Sequence, residues 1–346
     1  MRTTTGWQAT GPMALRRTTL ERRDLRPDDI AVQVGHCGVC HTDLHALRDH
    51  DQHTSAPLVP GHEFTGVVTA IGPEVSVFSV GDRVAVGNIV DSCGVCAMCE
   101  AGQENFCHSF PTLTYGGTDR RDGSTTLGGY SREYVVRDAF AYPLPSGLDP
   151  AAAAPLLCAG VTVWEPLRSL GVGPGSRVAV AGLGGLGHLA VKMAVALGAT
   201  TTVISRTRDK HRDARRLGAH DLIDSTDTRQ MAAARDTFDV VLDTIPAAHD
   251  LAPYLRSVAM DGTLSLLGYL GPLTVEAMDL LVGRKKLSSA GSAGRPATAE
   301  MLRFCAGNGI VADVEVLPSA QVLTALDRLR RDDVRYRFVL DLSDLD

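Results

Sequence analysis

The sequence predicts an α/β protein in two parts, a mostly β first half followed by a doubly wound parallel sheet. Up to about residue 150, short valine-rich segments are bounded by Gly, Pro or Asp, as in strands joined by turns. From about residue 160, strands alternate with helical patterns, which implies parallel strands connected by helical crossovers. Because the length of 346 residues also exceeds one typical domain, we expect two domains.

Individual elements follow from the apolar runs. In the first half, the predicted strands cover residues 30–34, 66–72, 83–87 and 133–136. In the second half, a strand at 177–181 precedes an apolar helix to about residue 197, and a charged helix covers 209–217. The further strands of this half are TTVIS, DLID, FDVVLD and TLSLLG. Helical patterns near 297–308 and 320–331 and a final strand, RFVLDL, need not belong to the parallel sheet.

Composition and charge exclude several classes of protein. Hydrophobic residues make up 44% and charged residues 21%, as in ordinary globular proteins. A net charge of -6 gives no basic surface for nucleic acid or an anionic membrane. The N-terminal segment MRTTTGWQATGP lacks the apolar core of a signal peptide, which predicts a cytoplasmic protein. The eight cysteines therefore point to metal binding or catalysis before disulfides.

Four cysteines form a short C-x2-C-x2-C-x7-C pattern. They are Cys93, Cys96, Cys99 and Cys107. Four thiolates at this spacing can complete a tetrahedral zinc site with no open position, which is the structural kind. The alternatives are ordinary buried thiols, or two disulfides in a secreted protein. The sequence favours structural zinc.

A glycine-rich loop lies between the strand at 177–181 and the following helix. Its residues are Gly182, Leu183, Gly184, Gly185, Leu186 and Gly187. The G-x-G-x-x-G pattern permits a tight turn and a close approach of a pyrophosphate to the backbone at the helix N-terminus. This context predicts a dinucleotide site, with a glycine-rich packing turn as the alternative. His188, which follows directly, is interpreted as a packing residue.

The residues after the second strand of this unit distinguish NAD from NADP. An acidic residue about 20 positions past the glycines binds the ribose 2′-hydroxyl of NAD, whereas a cation favours the 2′-phosphate of NADP. Here the strand ends in Ser205 and Arg206, with Lys210 one turn later, which predicts a preference for NADP(H). Asp209 argues the other way, but its position favours a helix-capping role. The basic residues could also form a solvated helix face.

Cys40, His62 and Cys158 form a dispersed set of zinc-ligand types, and three protein ligands with one open position are typical of catalytic zinc. Lone cysteines can equally be small buried hydrophobes. Around these residues the chain resembles the zinc-dependent medium-chain alcohol dehydrogenases, specifically the cinnamyl alcohol dehydrogenase-like branch of NADP-dependent aldehyde reductases. The resemblance extends over residues 37–45, 60–63, 81–84, 128–131, 157–160 and 336–338, the four-cysteine pattern and the glycine loop.

The resemblance implies a metal site and the residues that serve it. Cys40, His62 and Cys158 match the ligands of the family's catalytic zinc. Glu63 matches a carboxylate that can approach the metal when water is displaced. Asp43 matches a carboxylate that orients the His62 imidazole. Two zinc ions per chain are therefore implied, one catalytic and one structural.

The resemblance also implies a proton path and further cofactor contacts. Thr42 and His45 match a proton relay, and His41 and Thr162 match residues that contact the cofactor. Cys37 and Cys305 match no ligand position and are interpreted as packing residues. A redox pair of Cys37 and Cys40 is an alternative, but it leaves the other two candidate ligands unexplained.

Domain boundaries and assembly follow from the same resemblance. It implies a GroES-like catalytic domain over residues 1–157 and 293–346, holding both zinc sites, and a Rossmann domain over 158–292. It also implies a homodimer joined through the Rossmann sheets, with a small aldehyde or alcohol as substrate. The net charge, as noted above, predicts no nucleic-acid or membrane partner.

The expected reaction is reversible hydride transfer between nicotinamide and an aldehyde or primary alcohol, aromatic or medium-chain aliphatic, with the carbonyl polarised by zinc. A biosynthetic reductase of an imine or activated C=C bond is the alternative, and a non-enzymatic NADP-binding sensor is a third. The polar segment 48–53, with His50 and His53, either adapts the substrate site to hydrophilic substrates or forms a solvent-exposed loop, and we favour the exposed loop.

Overall fold

The computed structural model describes residues 1–50, 57–206 and 210–346, and the chain divides into two compact units. Unit 1 comprises Met1–Cys158 and Gly294–Asp346, and unit 2 comprises Ala159–Ala293. The two boundaries between the units therefore follow residues 158 and 293, one residue later than the boundaries after 157 and 292 that were expected from the sequence. This difference places Cys158 in unit 1, together with Cys40 and His62, whereas the sequence expectation began the second domain at Cys158.

Unit 1 is built around a sheet of seven strands with the order β16-β17-β3-β4-β5-β9, in which β8 also pairs with β3. The β16–β17 pair is parallel and the other pairs are antiparallel. The strands of unit 1 also include two separate two-stranded sheets, β1-β2 and β6-β7. The strands are β1 (Arg2–Gly11), β2 (Ala14–Arg22), β3 (Asp29–Val39), β4 (Phe64–Ile71), β5 (Arg83–Val86), β6 (Ile89–Asp91), β7 (Thr112–Leu113), β8 (Glu133–Arg137), β9 (Ala141–Pro143), β16 (Val314–Pro318) and β17 (Arg337–Asp341).

The central strand β3 explains why the first half reads as valine-rich. Its residues Ile30, Val32 and Val34 are buried, because β4 and β8 both pair with this strand and the core covers it. The final strand, β17, pairs with β3, so the last 50 residues return to unit 1 and do not extend the parallel sheet. The predictions omitted β1 and β2, whose many charged and threonine residues carry little apolar signal, and also the short strand β16.

Unit 2 contains six parallel strands in the order β12-β11-β10-β13-β14-β15. The alternation of strands and helices and the doubly wound sheet confirm the predicted fold class. The strands are β10 (Arg177–Ala181), β11 (Thr200–Ser205), β12 (Asp221–Asp224), β13 (Phe238–Asp243), β14 (Val258–Leu266) and β15 (Lys286–Ser289). Because β10 lies at the centre with helices on both faces, all but the first of its residues are buried.

Helices complete both units. In unit 1 they are α1 (His41–Arg48), α2 (Ala97–Glu100), α3 (Pro150–Ala153), α10 (Arg295–Gly307) and α11 (Val322–Arg330). In unit 2 they are α4 (Ala159–Ser169), α5 (Gly187–Ala196), α6 (His211–Arg216), α7 (Thr228–Ala233), α8 (Ala252–Ser257) and α9 (Ala277–Leu281). Among the described residues, none of these helices has the length and apolar character needed to span a membrane.

Candidate active site

Three candidate ligands converge in unit 1 from distant parts of the chain. Cys40 lies at the N-terminus of α1, directly after β3, and His62 lies two residues before β4. Cys158 follows a short helical turn that ends at Leu157. The Cys40 and Cys158 Sγ atoms are 3.8 Å apart, and His62 Nε2 is 3.2 Å from Cys158 Sγ. Because β3 and β4 pair antiparallel, the end of β3 lies beside the start of β4, and this brings Cys40 and His62 together.

The geometry of these three side chains fits a zinc ion. Zinc with Zn–S bonds near 2.3 Å in tetrahedral geometry separates two sulfur ligands by about 3.8 Å, the spacing of Cys40 and Cys158. The three candidate ligand atoms all lie within 4.8 Å of one another. Two thiols and one imidazole leave the fourth position of a tetrahedron open, which is the arrangement of a catalytic zinc.

Asp43 joins the elements that carry two of these ligands. One carboxylate oxygen, Oδ1, accepts hydrogen bonds from Gly61 N at 3.0 Å and His62 Nδ1 at 3.1 Å. The other, Oδ2, accepts from Cys40 N at 3.0 Å and from the Tyr130 hydroxyl at 3.2 Å. The Cys40 contact is also half of a capping box that begins α1. With Nδ1–H bonded to Asp43, the imidazole presents Nε2 to the thiols.

Burial and neighbouring charges shift the protonation of the cluster. A hydrogen bond from the Cys158 thiol holds the pKa of Cys40 well below its usual range, and the same contact together with burial raises the pKa of Cys158. Burial alone would lower the pKa of His62, but Asp43 and Cys40 raise it well above its usual value. The opposite shifts in pKa favour deprotonation of Cys40, and the thiolate is the form that binds metal.

A buried ion pair lies behind the cluster. Glu63 and Arg337 are 0% and 4% exposed, and Arg337 donates to Glu63 Oε1. Burial raises the pKa of Glu63 to about 7, although the charge of Arg337 opposes the shift. Within the described residues, Glu63 Oε2 is buried and has no hydrogen-bond partner. This oxygen is therefore an acceptor that a cation at the cluster would satisfy.

The candidate relay residues lie on α1. Thr42 and His45 are both exposed and three residues apart, so they share one helix face. The Thr42 hydroxyl is 3.7 Å from Cys40 Sγ. The His41 ring is half-buried and packs edge-on against the His45 ring with centroids 6.4 Å apart, and burial lowers the pKa of His41.

The four-cysteine pattern folds into a second cluster, which we call the four-cysteine lobe (residues 93–107). The Sγ atoms of Cys93, Cys96, Cys99 and Cys107 all lie within 4.8 Å of one another. The Cys93–Cys99 and Cys96–Cys99 sulfur distances are 3.8 and 3.6 Å, close to the separation expected around tetrahedral zinc. The backbone N–H of His108 lowers the pKa of Cys96 to about 6, while burial raises that of Cys99 to about 11.

The four-cysteine lobe is attached to the start of α10. Glu104 is 2% exposed, and its carboxylate accepts from Arg295 N at 2.8 Å and Arg295 Nε at 2.7 Å. The preceding turn approaches the same segment so closely that a Cβ on Gly294 would lie 1.9 Å from the Gly102 carbonyl oxygen. The lobe is therefore anchored where the chain re-enters unit 1.

The glycine loop of unit 2 has the shape of a dinucleotide loop. Gly182 adopts φ +89°, and Thr244 Oγ1 donates to the carbonyls of Ala181 and Gly182 at 2.8 and 3.1 Å. A Cβ on Gly187 would lie 2.1 Å from the Gly182 oxygen, so only glycine permits this turn to pack on α5. In the described residues, a Cβ on Gly184 would meet no atom within 4 Å, which leaves its backbone accessible.

The residues expected to select the cofactor lie at the end of β11. Ser205 is the last residue of the strand and Arg206 is exposed. Lys210 Nζ donates to the Leu183 carbonyl of the glycine loop at 3.0 Å, so it lies beside that loop. Asp209 lies outside the described residues. Thr162 is buried in α4 and donates to the Gly291 carbonyl at 2.9 Å.

Several expectations change or gain detail. His50 is 7% exposed, so the favoured interpretation of a solvent-exposed loop is wrong at this residue, which follows the buried inner face of α1; His53 lies outside the described residues. Cys37 and Cys305 are buried, as expected for packing residues. No role was predicted from sequence for Arg337, which pairs with Glu63, or for Tyr130, which bonds to Asp43. A lone cation in the apolar strand RFVLDL was the available signal for Arg337.

Two family models match the chain. The first, "Alcohol dehydrogenase GroES-like domain", covers residues 26–146, and the second, "Zinc-binding dehydrogenase", covers residues 185–307. The first therefore matches within unit 1, and the second begins inside the glycine loop of unit 2.

Curated relatives match over nearly the full length. "Probable formaldehyde dehydrogenase AdhA" of Bacillus subtilis is 44% identical over 95% of this chain and 94% of its own length. "NADP-dependent alcohol dehydrogenase C 1" of Mycolicibacterium smegmatis is 43% identical over 97% of this chain and 96% of its own length.

Solved structures agree with these sequence matches. A cinnamyl alcohol dehydrogenase of Sorghum bicolor, SbCAD4, superposes with a TM-score of 0.94 and 41% identity over 98% of both chains. The cinnamyl alcohol dehydrogenase of Helicobacter pylori, solved with NADP(H), gives a TM-score of 0.91 and 30% identity, again over 98% of both chains.

Proposed function

This chain belongs to the zinc-dependent medium-chain alcohol dehydrogenases, in the cinnamyl alcohol dehydrogenase-like branch, and from that membership we propose that it is an NADP(H)-dependent aldehyde reductase. The observation that carries the proposal is the convergence of Cys40, His62 and Cys158 with an open fourth position. The substrates we propose are aldehydes and primary alcohols, aromatic or medium-chain aliphatic.

Each metal site has its own proposed set of residues. Cys40, His62 and Cys158 would hold the catalytic zinc. Glu63, whose buried Oε2 has no hydrogen-bond partner in the described part of the chain, would approach the ion during ligand exchange. The cysteines of the four-cysteine lobe would hold the structural zinc, whose closed ligand set leaves no position for substrate. A zinc ion at the open site supplies a Lewis acid that polarises an aldehyde carbonyl for hydride attack.

The chain itself supplies the proposed proton path. The Thr42 hydroxyl, 3.7 Å from Cys40 Sγ, is close enough to the ligand cluster to donate a hydrogen bond to a substrate oxygen there. His45, on the same face of α1, is exposed to water, and imidazole is the side chain best suited to exchange protons with water at physiological pH. Together they would deliver a proton to the alcohol oxygen as the aldehyde is reduced, and remove it in the reverse reaction.

The proposed cofactor preference depends on charge at the end of β11. Ser205, Arg206 and Lys210 offer a hydroxyl and two cations where an NAD-specific site carries an acidic residue. The Lys210 bond to the Leu183 carbonyl supports a place for this cation beside the glycine loop. The Mycolicibacterium relative is named NADP-dependent, and the Helicobacter structure contains NADP(H).

We also propose a homodimer joined through unit 2. β15 is an edge strand, and every residue of the neighbouring α9 is at least partly exposed. Large apolar side chains, among them Met278, Leu281 and Leu287, are exposed on these two elements. A second copy placed along β15 would cover the edge of this strand that faces away from β14, together with the exposed apolar side chains.

The test compares Cys158→Ser with Cys37→Ser. Zinc per chain and the oxidation of NADPH and NADH with a panel of aldehydes are measured for both variants and the parent protein. We expect two zinc ions and an NADPH-preferring activity in the parent, and one zinc with at least about a hundredfold lower activity in Cys158→Ser. Cys37→Ser alters a buried thiol outside the ligand set, so it should retain both ions.

Three results would contradict parts of the proposal. Two zinc ions without turnover of any aldehyde would refute the substrate class and favour reduction of an imine or activated C=C bond. A preference for NADH would refute the role given to Arg206 and Lys210. One zinc or none in the parent protein would refute the catalytic metal site itself.

A further inference from the structure

The segment 128–131 lies against the loop that carries His62. Backbone hydrogen bonds join the two segments like a short stretch of sheet. The bonds are Gly128 N to Val59 O at 2.7 Å, Gly129 N to Gly61 O at 2.8 Å and Tyr130 N to Pro60 O at 2.9 Å. The position of this loop, and therefore of the imidazole that follows it, depends on the segment at 128–131.

The Tyr130 ring packs against Gly61 in this loop. Its side chain is fully buried, and Gly61 adopts φ +97°, a conformation that favours glycine. A Cβ on Gly61 would lie 2.6 Å from Tyr130 Cδ1. Glycine is therefore required at position 61 both for its backbone angle and for the approach of the Tyr130 ring.

The Tyr130 hydroxyl extends this contact to Asp43. Among the hydrogen bonds that the described residues make to the Asp43 carboxylate, three come from the segments that carry the metal ligands Cys40 and His62, and the Tyr130 hydroxyl adds a fourth at 3.2 Å. Tyr130 thus links a separate part of unit 1 to the carboxylate that orients the imidazole.

We propose that Tyr130 is a positioning residue for the metal ligand His62, acting through Asp43, and that its hydroxyl slows release of the metal from the Cys40 cluster. This inference rests on the proposed function, since it requires that the cluster bind zinc. The hydroxyl does not contact the substrate or the cofactor in this role. It keeps the Asp43 carboxylate in the orientation that holds both Cys40 N and His62 Nδ1.

Removal of the hydroxyl has a specific expected consequence. In Tyr130→Phe the ring still fills its place against Gly61, but Asp43 Oδ2 loses one of its two donors. A buried carboxylate with an unfilled acceptor position gains freedom to rotate towards other donors. Loss of a partner that orients a ligand typically weakens metal binding by about 10- to 100-fold, and we expect the lower end of that range for a residue one bond further away.

Tyr134 provides a matched control four residues away. It is also buried, its hydroxyl donates to the Thr114 carbonyl at 2.8 Å, and its ring packs on Phe64 with centroids 5.1 Å apart. Tyr134→Phe therefore removes a buried phenol hydroxyl from the adjoining strand β8 without touching Asp43. Any general loss of stability should appear in both variants.

The experiment follows zinc release from the fully loaded protein to a chromophoric chelator. The parent protein should release its two ions in two phases, assigned with Cys158→Ser, which lacks the first site. In Tyr130→Phe we expect the phase of the Cys40 cluster to be about tenfold faster and the phase of the four-cysteine lobe to be unchanged. Cobalt placed at the Cys40 cluster should also show a shifted visible spectrum in Tyr130→Phe and the parent spectrum in Tyr134→Phe.

The outcomes separate this inference from the function on which it depends. Equal release rates in Tyr130→Phe and Tyr134→Phe would overturn the positioning role while leaving the zinc site intact. Faster release from both sites together in Tyr130→Phe would also overturn it, because a general loss of stability would then explain the effect. A parent protein without metal at the Cys40 cluster would overturn the inference and the proposed function together.

Discussion

The two ligand clusters of unit 1 differ in how the chain assembles them. The four-cysteine lobe draws all its ligands from residues 93–107, whereas Cys40, His62 and Cys158 come from three separate segments. Within the described residues, the candidate ligands of the lobe are four cysteines, whereas the dispersed cluster is held by the Asp43 carboxylate and lies beside the Glu63–Arg337 pair. A zinc site with four protein ligands stabilises the fold, whereas a site with three protein ligands leaves a position for substrate and relies on neighbouring groups to orient those ligands.

This contrast shows where the support of each cluster comes from. Around the four-cysteine lobe, backbone N–H groups of Cys93 and His108 point at Cys107 and Cys96 sulfurs at 3.5 Å, so neighbouring residues stabilise the thiolates. Around the dispersed cluster, the supporting groups belong to α1, the loop before β4, the segment at 128–131 and β17. The proposed catalytic site thus depends on most of unit 1 for its geometry.

The largest effect that separates the clusters should come from Cys99→Ser. This substitution removes a buried candidate ligand from the proposed closed zinc site, and metal binding at such sites contributes directly to folding free energy. We expect zinc per chain to fall from two to one and the free energy of unfolding to fall by more than about 3 kcal/mol. Zinc analysis and denaturant unfolding measure both quantities.

Cys305→Ser is the control for this experiment, because Cys305 is buried beside Met301 and belongs to neither cluster. It should lose some stability but keep both ions. Loss of the metal at the Cys40 cluster in Cys99→Ser would show that the two sites do not bind independently.

An intermediate effect is expected from Asp43→Asn. In this variant an amide NH2 group would face N–H donors, such as Gly61 N, that now bond to a carboxylate oxygen. The His62 imidazole would lose the carboxylate that orients it. We expect zinc affinity at the Cys40 cluster to fall about 10- to 100-fold, or about 1.4–2.7 kcal/mol, with no change at the four-cysteine lobe. Competition with a metal chelator measures the two affinities.

Asp49→Asn is the matched control, since Asp49 ends the same helix and pairs with Arg48 on the surface. It should leave both affinities at the parent values. Equal weakening at the two clusters in Asp43→Asn would show that Asp43 supports unit 1 in general.

The smallest effect is expected from Glu104→Gln. The neutral amide would retain one hydrogen bond to Arg295 but lose the charge pair between buried Glu104 and partly exposed Arg295 that anchors the four-cysteine lobe at α10. We expect the free energy of unfolding to fall by about 1–2 kcal/mol, in the lower part of the range for hydrogen bonds to charged groups, because Arg295 is partly exposed and one bond is kept. Exposed Glu100, in the same lobe, provides the control Glu100→Gln, which should cost almost nothing. Similar losses in the two variants would contradict an anchoring role for Glu104.

Much of unit 2 could be predicted from sequence because its signals are local. The apolar strands RVAVA and FDVVLD became β10 and β13, and the glycine loop lies between β10 and α5 as expected. The charged helix was predicted to end at residue 217, and α6 ends at Arg216, one residue earlier. Gly218, which adopts φ +99°, marks this helix end in the sequence.

Unit 1 was less predictable, because its sheet depends on pairing between distant segments. Nothing near RFVLDL indicates that β17 pairs with β3, or that Arg337 thereby reaches Glu63. His50 was misjudged for a related reason, since its polar neighbours suggested an exposed loop while its burial depends on the packing of α1. Burial of a polar residue is a property of tertiary contacts, which local composition does not report.

The sequence by itself determined the four-cysteine pattern, the glycine turn and the alternation of strands and helices in unit 2. Each depends on residue types at short spacings, and local backbone geometry converts such spacings directly into structure. Only the tertiary structure decided that Cys158 lies 3.8 Å from Cys40, that Asp43 receives a fourth hydrogen bond from Tyr130, and that Glu63 faces Arg337. These contacts arise where antiparallel strands pair and loops pack against them, so their partners are set by the folded core and not by spacing along the chain.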